Sequence, residues 1–335
     1  MTQDIDVIVP CYRYGHYLET CVDSVLSQTD VDVRILILDD ASPDHTPEVG
    51  AGLARRDKRV TFRRHAANKG HIATYNEGIE WASSTFLLLL SADDYVLPGA
   101  LGRAARMMAG SPDMGFAFGN AIVLHEDGST EEVRPLGSRK GSRAMPGAEF
   151  IRISGARNIV PTPTAVVRTE VQKRLGGYRP ELPHAGDMEM WLRLAADGSV
   201  GFVDEHQGVY RRHAANMSLG YYADNLVADL QQRRAALDMF FDGQLSALRD
   251  APEIRRRLLR DLGNEVMAAA HGAFHHGHQD ASEGLRRFAL DVCPGMALSW
   301  PMAKYAIKRA LGVRRWQALN SARNGVARWR TGASR

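Results

Sequence analysis

Cysteine is scarce: Cys11, Cys21 and Cys293 are all there is in 335 residues. That gives neither the even number nor the density of a disulfide framework, which excludes a stapled secreted scaffold and points to a reducing compartment. No stretch approaches the ~18 consecutive apolar residues of a membrane span. The opening Met1-Thr2-Gln3-Asp4-Ile5-Asp6 lacks the basic region and long apolar core of a secretory leader, so the expected location is cytoplasmic. A net charge of +3 gives no case for nucleic acid as a partner. No G-x-G-x-x-G follows the first strand pattern, and Gly50-Ala51-Gly52 lies after a helix pattern and lacks the third glycine, which argues against a nicotinamide dehydrogenase. A P-loop, a nucleophile elbow and the glycine-rich activating loop of a sugar nucleotidyltransferase are missing too, as are internal repeats and low-complexity tracts. After Asp291 acidic residues cease, while Lys304, Lys308, Arg309, Arg314, Arg315, Arg323, Arg328, Arg330 and Arg335 follow.

What remains is 44% hydrophobic and 24% charged, enough for a sizeable core. Asp6 to Pro10 reads as a short strand ended by proline, and helical spacing runs from His16 to Gln28. A second strand, Val33 to Leu38, ends on Asp39-Asp40-Ala41-Ser42. A helix over Pro47–Arg56, a strand at Val60–Arg63, a polar loop Asn68-Lys69-Gly70-His71 and a helix over Ile72–Ala82 lead to the apolar run Phe86 to Leu90. Pro98 then closes that strand pattern and a helix-like segment spans Gly99–Met108. Alternating strands and helices predict a doubly wound, mostly parallel sheet, whose ligands bind beyond the strand C-termini. Less regular sequence follows: strands at Met114–Phe118 and Ala121–Leu124, a turn at Glu126–Ser129, a mobile loop over Ser138–Gly147, a strand at Thr164–Val167 and a helix from Gly186. From about Tyr221 long helical patterns take over, at Ala223–Phe241, Pro252–His276, Ala281–Leu290 and Pro301–Arg330, so the expected division is 1–220 and 221–335.

The chemistry collects at strand ends. Asp93-Asp94, delivered by the run Phe86 to Leu90, reads either as the cap of the next helix or as a hard-cation site, because Mg²⁺ is commonly held by one or two carboxylates together with substrate phosphates. His275, His276 and His278 could form a metal tract, but without nearby acids or cysteines they read rather as a solvated face.

Five motifs in register carry a resemblance: Val7-Ile8-Val9-Pro10-Cys11-Tyr12, Leu38-Asp39-Asp40-Ala41-Ser42, Asn68-Lys69-Gly70 through Asn76-Glu77-Gly78, Ser91-Ala92-Asp93-Asp94 and Gly186-Asp187-Met188-Glu189-Met190-Trp191-Leu192-Arg193. Over about residues 1–220 the chain resembles the inverting, GT-A-fold glycosyltransferases of family 2. The resemblance implies an α/β fold with a doubly wound mixed sheet and a C-terminal helical extension, divided at about residue 110 into a nucleotide-binding and an acceptor half. It implies transfer of a sugar from a UDP- or dTDP-sugar to the hydroxyl of a glycan, lipid-linked or small-molecule acceptor, in polysaccharide or glycoconjugate biosynthesis. Nucleotide contacts fall to Pro10, Tyr12, Asp39, Asp40, Asn68, Gly70, Asn76 and Ala92. Tyr12 would stack on the base and Asp40 would accept its imide proton. A divalent cation, Mn²⁺ or Mg²⁺, falls to Asp93 and His213, and the base that takes the acceptor's proton falls to Asp187. The plain alternative for Asp187 is a helix cap with Glu189 as a surface partner, while Trp191 and Leu192 read as core.

Three positions depart from the family pattern. Ser91 replaces the first acid of the Asp-x-Asp element, Tyr75 stands where many relatives carry arginine, and Gly186 replaces the acid before Asp187. Ser91 and Tyr75 keep open a second class, a non-catalytic sugar-nucleotide-binding relative. The basic tail with Trp300, Trp316 and Trp329 reads either as a helical bundle or homodimer contact, or as a peripheral contact with the inner membrane face.

Overall fold

The computed structural model describes residues 2–137, 140–216, 226–313, 315 and 316. The apolar runs at the start of the chain become strands buried on both faces, the usual condition of parallel strands covered by helices. Strand β1 (Gln3–Cys11) pairs in parallel with β2 (Val31–Asp39) on one side and with β4 (Phe86–Leu89) on the other, and β3 (Val60–Arg64) extends β2. Helices α1 (Gly15–Leu26), α2 (Thr46–Arg56) and α3 (His71–Trp81) connect them. Beyond β4 come β5 (Tyr95–Val96), α4 (Ala100–Ala109), β6 (Met114–His125), β7 (Thr130–Val133), β8 (Arg143–Pro146), α5 (Gly147–Ser154), β9 (Val166–Arg168), α6 (Thr169–Leu175), α7 (Gly186–Asp197) and β10 (Ser199–Arg212).

The strand order is β3-β2-β1-β4-β9-β6-β10-β5, with β7 on β6 and β8 on β10. Strand β9 is antiparallel to both β4 and β6, which makes the sheet mixed. Alternation along β1 assigns the two cores: Ile5, Val7 and Val9 face α1 and α4, whereas Ile8 packs with α3 and α7. The second core runs on into the helices α8 (Leu226–Gly243), α9 (Ala251–His275), α10 (Gln279–Val292) and α11 (residues 300–313).

Several elements differ from the sequence expectation. Strand β6 is continuous through Gly119, where a Cβ would meet Gln207 Cγ at 2.5 Å and the Val203 carbonyl oxygen at 2.8 Å; this glycine admits a close neighbour and does not break the strand. Strand β10, 14 residues long, had no counterpart in the reading, because register shifts between Ser199 and Gly208 scramble the alternation that would reveal it. The expected loop over Ser138–Gly147 contains strand β8, which pairs with β10, and the first residue of α5. Ser138, Arg139, the boundary near Gly220, the start of the helix expected at Ala223, and the tail beyond Trp316 lie outside the described residues.

Candidate functional site

Three parallel strands end side by side, and the loops after two of them hold uncommon backbone: Arg13 has φ 65° and Ala41 φ 60°. Non-glycine residues in the left-handed region are held there by their surroundings. Here Ser42 accepts the Arg13 amide through Oγ at 3.0 Å, and the Asp40 amide donates to the Cys11 carbonyl at 2.9 Å. The loops border a cleft of about 690 Å³, lined among others by Pro10, Tyr12, Asp40, Asn68, Gly70, Tyr75, Ser91 and His213. That volume suits a small-molecule ligand. Cys11 also lines it, but burial pushes its thiol up to about 12, so it stays protonated and is no nucleophile.

Each acid pair splits into a brace and a site-facing group. Asp39 is buried, accepts the Ser42 amide at 2.9 Å and pairs with Arg64 at 3.2 Å, away from the cleft lining. Asp40 accepts the Lys69 amide at 2.8 Å and His65 Nδ1 at 2.7 Å on Oδ1, and the Gly70 amide at 2.9 Å on Oδ2. Gly70, at φ +85°, supplies a backbone turn that other residues rarely adopt, and Asn68 Oδ1 accepts the same amide at 3.0 Å. A carboxylate oxygen has two acceptor positions, so Oδ2 of Asp40 retains one on the edge of the cleft.

In the second pair Asp94 is the brace. It accepts the Arg211 amide at 2.9 Å, and burial, then the charge of Asp93 beside it, hold its carboxyl well above the ordinary value. Asp93 lies against His213 Nε2 at 3.0 Å and the Asn216 amide at 3.2 Å, both on Oδ2. Its Oδ1 is buried and has no hydrogen-bond partner. A carboxyl oxygen left bare in the interior is costly unless a donor or a cation meets it. Among the described residues no three of the types His, Cys, Asp and Glu converge, so the protein offers this carboxylate and His213 and no closed cage.

Asp187 stands in the first turn of α7 without acting as its cap, since no side-chain cap hydrogen bond is present. Burial raises its carboxyl above the ordinary 3.8, against opposing hydrogen bonds from the Tyr178 and Thr162 hydroxyls. The Thr162 contact to Oδ2 is 3.2 Å. Tyr178 packs edge-on against Tyr75, with ring centroids 5.3 Å apart, and Tyr75 lines the cleft. Burial, then the charges of Asp187 and Asp93, push the Tyr75 hydroxyl up, so it stays neutral.

The support of Asp187 reaches across the sheet. Asn76 clamps the Tyr178 backbone from both sides, donating to its carbonyl at 2.9 Å and accepting its amide at 2.7 Å. Gly177 is small because a Cβ there would meet Asn76 Oδ1 at 2.2 Å. Glu189, a surface partner only in the alternative reading of Asp187 as a helix cap, is buried and pairs with Arg193 at 2.9 Å and Arg179 at 3.0 Å; Arg193 also donates to the Gly176 and Gly177 carbonyls at 3.0 and 2.8 Å. Arg193→Met is expected to cost about 3–5 kcal/mol by leaving Glu189 buried with only the half-exposed Arg179. Chemical denaturation checks this, and a loss under about 1 kcal/mol would show the pair to be dispensable.

The cleft therefore gathers Pro10, Tyr12, Asp40, Asn68, Gly70 and His213, with Asp93 against His213 and Asp187 joined to the lining residue Tyr75 through Tyr178. Asp39 and Asn76 brace loops, and Ala92 is fully buried apolar packing. Trp191 and Leu192 are core, as expected. Sequence reasoning did not single out His65, Thr162, Tyr178 or Asn216. Only Asn216, three residues after His213, left a local signal.

A mixed sheet with acids at the ends of its parallel strands, a nucleotide-sized cleft beyond them and helices at the C-terminal side is the GT-A architecture. Residues 6–156 match the family profile described as Glycosyl transferase family 2, and in fold and motifs the chain resembles the GT-A glycosyltransferases of that family. An uncharacterized protein of Mycobacterium tuberculosis is 29% identical over 220 residues, covering 63% of this chain and 67% of that protein. The matches span only 26% and 44% of the length of two further bacterial relatives described as uncharacterized glycosyltransferases. The crystal structure of S. aureus TarS in complex with UDP-GlcNAc superposes with a TM-score of 0.66 at 16% identity, covering 97% of this chain and 92% of that one. The mannosyltransferase PcManGT from Pyrobaculum calidifontis, in complex with GDP-Man and Mn²⁺, gives a TM-score of 0.53 at 18% identity, with coverage of 92% and 85%.

Proposed function

We propose that the protein is an inverting glycosyltransferase that moves a sugar from a UDP- or dTDP-sugar to an acceptor hydroxyl, in the assembly of a polysaccharide or glycoconjugate. The observation that carries this is Asp187: a partly exposed carboxylate raised by desolvation and held by the hydroxyls of Thr162 and Tyr178, the latter packed on the cleft-lining Tyr75. A non-catalytic binding relative has no use for a base kept in that condition.

The donor's base would lie against the exposed ring of Tyr12, with its imide N–H directed at the remaining acceptor position of Asp40 Oδ2. Guanine and adenine present a different edge there. The bare Oδ1 of Asp93 fits a hard cation, which Asp93 and His213 would hold together with donor phosphate oxygens. Such an ion, Mg²⁺ or Mn²⁺, supplies Lewis-acid stabilisation of the departing diphosphate. Asp187 takes the acceptor's hydroxyl proton as that oxygen bonds to the anomeric carbon; the bond from that carbon to the diphosphate oxygen breaks, and the nucleoside diphosphate leaves with the electron pair. Attack opposite the leaving group inverts the centre. Tyr178 and Thr162 keep the carboxylate aimed throughout.

Thermal shift with UDP-, dTDP- and GDP-sugars, with and without Mn²⁺, tests the reading. Uridine or thymidine donors are expected to raise the melting temperature more than the guanosine donor, and more with metal than without. No stabilisation by any donor in either condition would refute it.

A further inference from the structure

Helix α11 is apolar on two faces, one packed and one exposed. Positions 300, 303, 306, 307 and 310 carry Trp, Ala, Ala, Ile and Ala, and all of them face solvent. Trp300 is 71% exposed, Ile307 48%, and Leu298 in the preceding turn 98%. The opposite face buries Met302, Tyr305 and Lys308, the lysine to 2% exposure. That face is seated on α9 and α10: the Tyr305 hydroxyl is 2.7 Å from Ser282 Oγ, and Lys308 Nζ is 2.9 Å from His275 Nε2. Met302, Tyr305 and Val313 already give α11 the apolar stripe that seats a surface helix on its core, so the outer stripe is a second one with nothing from the described residues over it. Single exposed apolar residues need no explanation, but a stripe of them rimmed by charge marks a place of contact.

We propose that Leu298, Trp300 and Ile307 form a docking surface for an anionic lipid bilayer. Charge selects this occupant. From residue 292 to the end the chain has nine lysines and arginines and no acid; Lys308 is buried and Arg309 pairs with Glu283 at 2.7 Å, whereas Lys304, on the rim of the stripe, makes no ion pair among the described residues. A tryptophan and two aliphatic residues among cations are the composition of a helix lying in the headgroup layer. A second copy of the chain would set Lys304 beside its own counterpart, which disfavours a dimer through this patch. The surface is separate from the nucleotide cleft, and the proposal stands whether or not the transfer reading does.

The test is co-sedimentation of the full chain with vesicles of phosphatidylcholine alone or mixed with phosphatidylglycerol. Binding is expected only to the anionic vesicles, falling as salt is raised. The combined variant Leu298→Glu, Trp300→Glu and Ile307→Glu should lose about tenfold or more of that partitioning. Its melting temperature and its response to UDP should not change, because the three side chains lie outside the core. If the triple variant folds poorly, Trp300→Phe gives the same answer by fluorescence: the parent's emission should shift to the blue on anionic vesicles, and the variant's should shift less. The proposal is overturned if the parent ignores anionic vesicles, if the triple variant binds them equally, if Trp300→Phe leaves the emission shift unchanged, or if the patch mediates self-association instead.

Discussion

Asp187→Asn is expected to lower the rate of sugar transfer by about 10²–10⁴-fold, the usual worth of a positioned base, while binding of UDP and metal stays near that of the parent. The same substitution should leave stability unchanged or raise it. Burial lifts the carboxyl of the folded protein above the ordinary 3.8, so the folded chain holds this proton more tightly than the unfolded one. Stability from this group therefore declines as pH rises from 3.8 through the raised value, and at neutral pH the ionised form is a net cost that asparagine removes. The rate should show the complementary dependence, falling on the acid side at a pH above that of an ordinary aspartate, because only the ionised form accepts a proton. Nucleotide titration, a melting curve and a pH–rate profile check the three statements separately. If binding were lost in proportion to rate, Asp187 would be a structural residue and the assignment would fail.

Asp93→Asn should produce the second large effect, and a different one. The parent leaves one Asp93 oxygen bare in the interior while His213 and Asn216 occupy the other. Removing the charge removes the reason for a cation to settle there, so the metal-dependent part of nucleotide binding should disappear and transfer should fall by about 10²-fold or more. Metal-free nucleotide binding through Tyr12 and Asp40 should persist. Calorimetric titration of UDP with and without Mn²⁺ separates the two contributions, and an undiminished metal response in the variant would place the cation elsewhere. Ser91 sharpens the expectation: with no acid at that position, Asp93 has no neighbouring carboxylate ligand to share the loss, since Asp94 is turned to the Arg211 amide.

Much of the fold could be read in advance because its first half is locally determined. Parallel strands buried on both faces announce themselves as unbroken apolar runs, and the acids that close them fall at the strand ends by chain order alone. Strand β10 escaped because its bulges break the alternation by which a strand is recognised. At the site, motif positions were legible and individual roles were not. Asp39 and Asp40 are neighbours of identical chemistry, and only backbone direction decides which one meets the cleft. Asn76 was placed with the nucleotide contacts, yet its partner is Tyr178, 102 residues away, a pairing no local pattern encodes. The alternative that leaves Glu189 at the surface fails because Arg193, one turn further along the same helix, is itself buried and neutralises it.

The Asn76 clamp has a kinematic consequence. Tyr75 and Asn76 are consecutive on α3; the first presents its ring to the donor cleft, and the second grips the loop whose tyrosine aims Asp187. Residues 75 and 76 thus tie the wall of the cleft to the support of Asp187 within one turn of α3, so a displacement of that helix would be felt at both.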